Sequence, residues 1–277
     1  LKLPLLLAAL GVVLSVVASE PINMSEAGPV ALDTPKTRLI LWDIDDTLIK
    51  SAHASGIPGG PLLQAVTQAA GRSIEKGSMS FSGKTDPQVV RELLSANGLG
   101  DLAPAAMADL EARAFAALPA VMAAGVANGT FCYVQLPGIA ELLKELGQRE
   151  GVVQGLLTGN LEACCPVKLG AAGIDHGIFV LGAYGSDAAD RNSLVPIAIA
   201  KYEGLLGQPI KPCEVVVIGD TPMDAMCATV HGSRCLAVAT GSFGRTELEG
   251  SSATWVMADL SDVPSVLGVL LDDGVSK

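Results

Sequence analysis

The sequence predicts an α/β fold in which a parallel sheet is covered by helices on both faces and carries one long helical insertion. Three observations predict it. Short, continuously apolar runs recur along the chain, helical patterns separate them, and several runs end in acid or hydroxyl residues. Strands that are apolar throughout, rather than at alternate positions, belong to sheets buried on both faces. Such a sheet is a three-layer, Rossmann-like arrangement, and it binds ligands outside the carboxyl ends of its strands.

The expected first strand covers residues 38–43 and ends on Asp43. The second covers residues 152–158, followed by Gly159, Asn160 and a helix ending near Gly173. The third covers residues 177–182 and is followed by a helix over 193–206. The fourth, residues 214–220, leads into a helix over 224–231. The fifth covers residues 235–239, and a short sixth covers 254–256. Between the first and second strands, residues 51–129 hold three helical patterns, at 61–71, 87–97 and 104–127. That span far exceeds an ordinary connection, so it reads as a helical subdomain hanging over the carboxyl end of the first strand.

The expected division is therefore a leader and linker over residues 1–35, an α/β core from 36–50 and 130–277, and the insertion over 51–129. Residues 3–18 are almost wholly apolar, with Lys2 before them and small residues at their end, as in a secretory signal region; a spanning helix needs about 20 apolar residues. Pro21, Gly28, Pro29 and Pro35 mark the stretch that follows as a linker.

Of the 277 residues, 49% are hydrophobic and 17% charged, which excludes a disordered chain. The formal net charge of −11 argues against a nucleic-acid backbone or an anionic membrane face as partner. A small anionic substrate is compatible with it, because a local cation cluster or a metal reverses the field inside a cleft. Six cysteines, none in a CxxC pair, read as reduced thiols packed as small apolar groups. That usage points to the cytoplasm, with export or membrane anchoring through residues 1–18 as the alternative. A stable membrane partner is expected only if that segment is a true anchor, and the protein is expected to be a monomer or homodimer.

Three strand ends carry the chemistry. After the first come Asp43, Ile44, Asp45, Asp46 and Thr47. Extended backbone puts Asp43 and Asp45 on one face, about 6.6 Å apart along the chain. Two such carboxylates can divide labour, one attacking or holding a metal and the other moving a proton, although a polar turn accepts aspartates as readily. Thr158-Gly159-Asn160 offers a hydroxyl and backbone N–H groups to an anion, while also serving as an ordinary helix cap. Asp220 ends the fourth strand with Asp224 four residues on, a set of hard oxygen ligands suited to Mg²⁺ or a capping pair. In one spatial layer these acids would repel without a divalent cation, and a metal beside a nucleophilic carboxylate implies phosphoryl transfer.

With DxDxT at Asp43, TGN at Thr158 and GDxxxD at Gly219, the chain resembles the haloacid dehalogenase (HAD) superfamily over roughly residues 36–271. The resemblance is to the phosphoglycolate-phosphatase-like members, which carry a helical cap after the first motif. It implies a Mg²⁺-dependent phosphatase acting on a small phosphorylated metabolite, with Asp43 as the nucleophile that forms an aspartyl-phosphate. Asp45 would be the proton carrier, and Thr158, Gly159 and Asn160 the phosphoryl cradle. The implied metal ligands are the Asp43 carboxylate, the Asp45 backbone carbonyl and Asp220, with Asp224 supporting them. Related caps place a loop like Ser82-Gly83-Lys84-Thr85-Asp86 over the substrate, which would make Lys84 and Thr85 substrate contacts, with a solvent-exposed capping loop as the alternative.

The family also uses a basic residue. Lys168, eight residues past Asn160 on a helix running away from the site, would lie about 12 Å along it, so geometry favours Arg191. Asp46 stands where the family often has glycine. A sugar phosphomutase of the same superfamily and a non-catalytic binding protein of the same fold are the alternatives; dehalogenase and phosphonatase patterns lack the second aspartate.

Overall fold

Alternation along each central strand decides the architecture. In the computed structural model, which describes residues 37–52 and 60–272, strand β1 (Arg38–Trp42) is buried along its whole length. Leu39 and Leu41 enter one apolar cluster, and Ile40 and Trp42 enter another. The same split recurs in β6 (Val215–Gly219), where Val215 and Val217 face one way and Val216 and Ile218 the other. In β7 (Arg234–Val238), Cys235 and Ala237 oppose Leu236 and Val238. Successive side chains point to opposite faces, so an all-apolar strand needs cover on both.

That cover comes from two helical layers. On the Trp42 face lie α4 (Ile139–Gly147), α5 (Cys165–Ala171) and α9 (Val263–Leu271). On the Leu41 face lie α6 (Leu194–Leu206), α7 (Pro222–Thr229) and α8 (Arg245–Glu249). With β4 (Val152–Thr158), β5 (Leu181–Tyr184) and β8 (Trp255–Met257), the sheet runs β5-β4-β1-β6-β7-β8, every pair parallel. The order reverses about β1, so its neighbours β4 and β6 bring the ends of all three motifs side by side.

The insertion leaves and returns through a two-stranded antiparallel ribbon absent from the sequence reading. In it β2 (Ile49–Ser51) pairs with β3 (Tyr133–Gln135), Ile49 opposite Gln135. Between them, α1 (Gly60–Ala70), α2 (Asp86–Leu94) and α3 (Pro104–Ala127) enclose a third apolar cluster. Leu161 and Cys164 of the core complete it. By length and composition α3 could cross a membrane, yet its Leu110, Ala114, Leu118 and Met122 face packs into this cluster.

Several expected boundaries move. The third strand begins at Leu181 rather than residue 177, because the Asp175 side chain accepts from the Gly177 amide (2.9 Å) and starts a 3₁₀ turn over His176–Ile178. The helix after β6 begins at Pro222, not at Asp224. Thr221 and Asp224 form a reciprocal capping box that moves its start forward. The expected leader and linker over residues 1–35 lies outside the described residues.

Gly138 begins α4 with φ +82°, and a Cβ there would sit 2.0 Å from the Leu260 carbonyl oxygen. Neither the left-handed backbone nor the backbone contact can give cheaply. Gly138→Ala is expected to cost about 1–3 kcal/mol in urea unfolding, with the slope of the transition unchanged.

Candidate active site

The ends of β1, β4 and β6 converge as their adjacency requires. Asp43 follows β1 directly; its amide donates to the Ile218 carbonyl at 2.9 Å, which ties the tip of β1 to β6. Asp220 follows β6, and Asp224 reaches back from the first turn of α7. One carboxylate oxygen from each of Asp43, Asp220 and Asp224 lies within 4.8 Å of the other two, and all three residues are buried.

Their partners differ. One Asp43 oxygen accepts from the Ile44 amide (2.8 Å), and the other faces the Arg191 guanidinium at 3.1 Å. Arg191 also pairs with Asp224, whose second oxygen accepts from the Thr221 amide (3.0 Å) and hydroxyl (2.7 Å). Asp220 has no hydrogen bond or ion pair among the described residues, and burial followed by the charges of Asp224 and Asp43 pushes it up to about 9. Burial likewise raises Asp43 to about 7, against the pull of Arg191 and with the push of Asp224 and Asp45. Gly241 packs so closely on Asp220 that a Cβ there would fall 1.8 Å from the carboxylate.

Asp45 belongs to a second, separate cluster. It is half-buried and grips the Lys168 ammonium with both oxygens (2.6 and 2.7 Å), while Asn160 Nδ2 donates to it at 2.8 Å. Burial pushes this carboxyl up, but Lys168 and Asn160 outweigh it and hold it below the ordinary aspartate range. Asn160 Nδ2 also donates to the Thr158 hydroxyl (2.8 Å), and its Oδ1 accepts from Lys168 (2.6 Å). Thr158, Asn160, Lys168 and Asp45 thus form one hydrogen-bonded chain. The Asp45 carboxylate stays outside the trio that can share a cation.

Lys168 is a correction. The chain past Asn160 makes a 3₁₀ turn over Glu162–Cys164, and α5 starts only at Cys165. Lys168 therefore stands only three residues into α5, buried, with its ammonium on the motif aspartate rather than 12 Å beyond it. Arg191 also reaches the site, but its guanidinium is engaged with two carboxylates there.

A cavity of about 410 Å³ opens over both clusters and is roofed by the insertion. Asp43, Asp45, Thr158, Gly159, Asn160, Lys168, Arg191 and Asp220 line it, together with Lys84; Thr85 does not. The Thr85 hydroxyl donates to the Ala189 carbonyl (2.6 Å) and caps α2, while Lys84 is paired with Glu92. The loop through Lys84 is pressed onto the second motif: a Cβ on Gly159 would meet the Lys84 carbonyl oxygen at 2.2 Å. Asp86 closes this seam, its amide donating to the Gly159 carbonyl (2.7 Å) and its carboxylate accepting from the Leu161 amide (2.9 Å). Burial raises Asp86 to about 6, against the pull of Lys168. Its seam role follows from pairing between distant segments, which the local sequence does not display.

Comparison with known proteins gives the fold a family context. Residues 192–263 match the family model described as HAD-hydrolase-like. No curated protein matches the chain. Among solved structures it is similar to a hydrolase from Pseudomonas syringae, at 20% identity and TM-score 0.57, over 85% of this chain and 99% of that one. It is similar to CbbY from Rhodobacter sphaeroides in complex with phosphate (18%, TM-score 0.58, 82% and 96%). A predicted phosphoglycolate phosphatase from Haemophilus somnus aligns as well (17%, TM-score 0.56, 83% and 97%).

The raised carboxyls fix the sign of a pH effect. An aspartate whose folded pKa exceeds its unfolded value binds its proton more tightly when folded. Its contribution is complete below about pH 4 and is lost as pH rises through the folded value. Asp86, Asp43 and Asp220, with folded values of about 6, 7 and 9, make that window run from about 4 to about 9. In chelator, the thermal midpoint is expected to fall steadily as pH rises through this window. The fall should be smaller in Asp220→Asn, and identical profiles for the two proteins would contradict the assignment.

Proposed function

We propose that this chain, HAD-like in its fold and in its family match, is a phosphatase that hydrolyses a small phosphate monoester through an intermediate on Asp43. The observation that carries the reading is the division of the acids: three converge where a cation fits, and the fourth is held apart on a lysine. Asp43 is oriented by the Ile44 amide and Arg191, which leaves its carboxylate at the cavity floor. There it can attack phosphorus in line, splitting one displacement into two easier ones. Thr158 and the backbone N–H groups that follow it supply donors to the phosphoryl oxygens.

Asp45 is the proton carrier. In the resting site Lys168 and Asn160 keep it ionised, ready as the base that takes a proton from the hydrolytic water. An arriving phosphate dianion adds negative charge beside Asp45 and competes for Lys168. Both effects raise its pKa and favour the protonated form needed by the leaving oxygen. Arg191 braces Asp43 and Asp224 and, with Lys168, supplies the positive charge of the cavity floor.

The residues present fit a divalent cation. Asp220 is buried with no ion pair among the described residues, beside two more carboxylates whose push, with burial, outweighs the pull of Arg191. Asp43, Asp220 and Asp224 would hold it, and an all-oxygen donor set suits Mg²⁺. When bound, such an ion neutralises charge on the transferring phosphoryl group.

The test is phosphate release from a panel of phosphomonoesters with and without Mg²⁺, run beside Asp43→Asn. We expect metal-dependent release that falls on the order of 10³-fold or more in the variant. Activity retained in Asp43→Asn, or an isomerised sugar phosphate in place of free phosphate, would overturn the assignment.

A further inference from the structure

Among the described residues, one of the cations that line the cavity has no anionic partner. Of the basic residues lining it, Arg191 is paired with Asp43 and Asp224, Lys168 with Asp45, and Lys84 with Glu92. Lys76 is the fourth. Among the described residues it has no anionic partner, and its ammonium stands 4.9 Å from the centroid of the Phe81 ring, which also lines the cavity. The neighbouring Glu75 forms no ion pair with it; the Glu75 carboxylate accepts instead from the Ser73 hydroxyl (3.0 Å).

The backbone beside Lys76 is held rather than loose. Asn97 accepts from the Glu75 amide (2.9 Å), donates to the Glu75 carbonyl (3.0 Å), and is itself tied to the Leu93 carbonyl (2.8 Å). Ile74, two residues before Lys76, is buried in the insertion's apolar cluster. A lysine whose only job is to be solvated needs no such two-sided clamp on its neighbour. The same cavity is lined from the insertion by apolar Leu62, Val89, Leu118 and Met122 as well as by polar Ser82, Lys84 and Asp86. A half-buried cation that rests on an aromatic face and has no anionic partner among the described residues gains most from an anion that enters the cavity.

We propose that Lys76 is a specificity-determining residue that recognises a second anionic group, a carboxylate or a second phosphate, on the organic part of the substrate. The inference rests on the phosphatase reading and narrows it. The phosphoryl group to be transferred sits on the cavity floor, and the leaving group extends toward the α1–α2 loop and presents its own negative charge to Lys76. Phe81 holds the ammonium in place and flanks the chain of the substrate.

The experiment compares three series of matched length, from two to five carbons: ω-phosphooxy carboxylates, α,ω-bisphosphates and uncharged alkyl phosphates. Each is assayed with the wild-type chain, Lys76→Met and Lys76→Arg. The wild type is expected to show a KM lower by about fivefold or more for at least one anionic series than for the alkyl phosphates, the scale of a partly exposed ion pair. Lys76→Met should abolish that preference by raising the KM of the anionic series by about fivefold more than that of the alkyl phosphates, and Lys76→Arg should restore it. Whichever anionic series loses its preference identifies the group as carboxylate or phosphate. Equal KM for charged and uncharged series in the wild type, or a rise in KM shared by all three series in Lys76→Met, would overturn the assignment of Lys76 and leave the phosphatase intact. No turnover of any series would instead overturn the phosphatase reading itself.

Discussion

Mutual repulsion among buried carboxylates is the constraint on which the rest of this structure depends. Parallel strands that end side by side place Asp43 and Asp220 at adjacent tips, and the first turn of α7 adds Asp224. Like charges this close in a poorly solvated setting raise one another's pKa and weaken the fold unless something positive stands between them. Arg191 balances part of that charge from the Asp43 and Asp224 side, and its pull on Asp220 is outweighed by burial and the neighbouring carboxylates. The convergence of these three acids, more than any single residue, is what the proposed phosphoryl transfer rests on.

The second organising feature is the seam between the insertion and the strand ends. The loop carrying Gly83 to Asp86 lies directly on the motif loops. A Cβ on Gly83 would meet the Thr221 hydroxyl at 2.9 Å, as one on Gly159 would meet Lys84. Asp86 fastens the seam with bonds in both directions. Gly159 lies against the backbone of Lys84 and Thr85, and Gly83 against the side chains of Thr221 and Met223, so both glycines permit the close approach that sets the roof of the cavity. The walls and the floor of the cavity therefore come from segments far apart in the chain, joined at one place.

Much of this was legible in the sequence because its physical signals are local. The apolar runs found β1 and β4 to within a residue, and the 24-residue α3 matches its expected range of 104–127. The DxDxT, TGN and GDxxxD segments do meet, since each sits at the end of a strand and the three strands are neighbours. What the sequence hid depends on partners at a distance. The β2–β3 ribbon is three residues long on each side and has no pattern apart from its pairing. Lys168 looked remote because its helix was assumed to start at Asn160, whereas an intervening 3₁₀ turn swings it back to Asp45. Thr85 looked like a substrate contact and instead caps α2, because its hydroxyl finds the Ala189 carbonyl more than a hundred residues away.

Calorimetric titration of the whole chain with Mg²⁺, in two buffers of different ionisation enthalpy, tests the central claim most directly. One ion per chain should bind, and protons should leave the protein as it does so, because the cation takes over the role that protonation plays at Asp43 and Asp220. Absence of binding, or binding with no release of protons, would contradict an account in which those carboxylates share a single divalent ion.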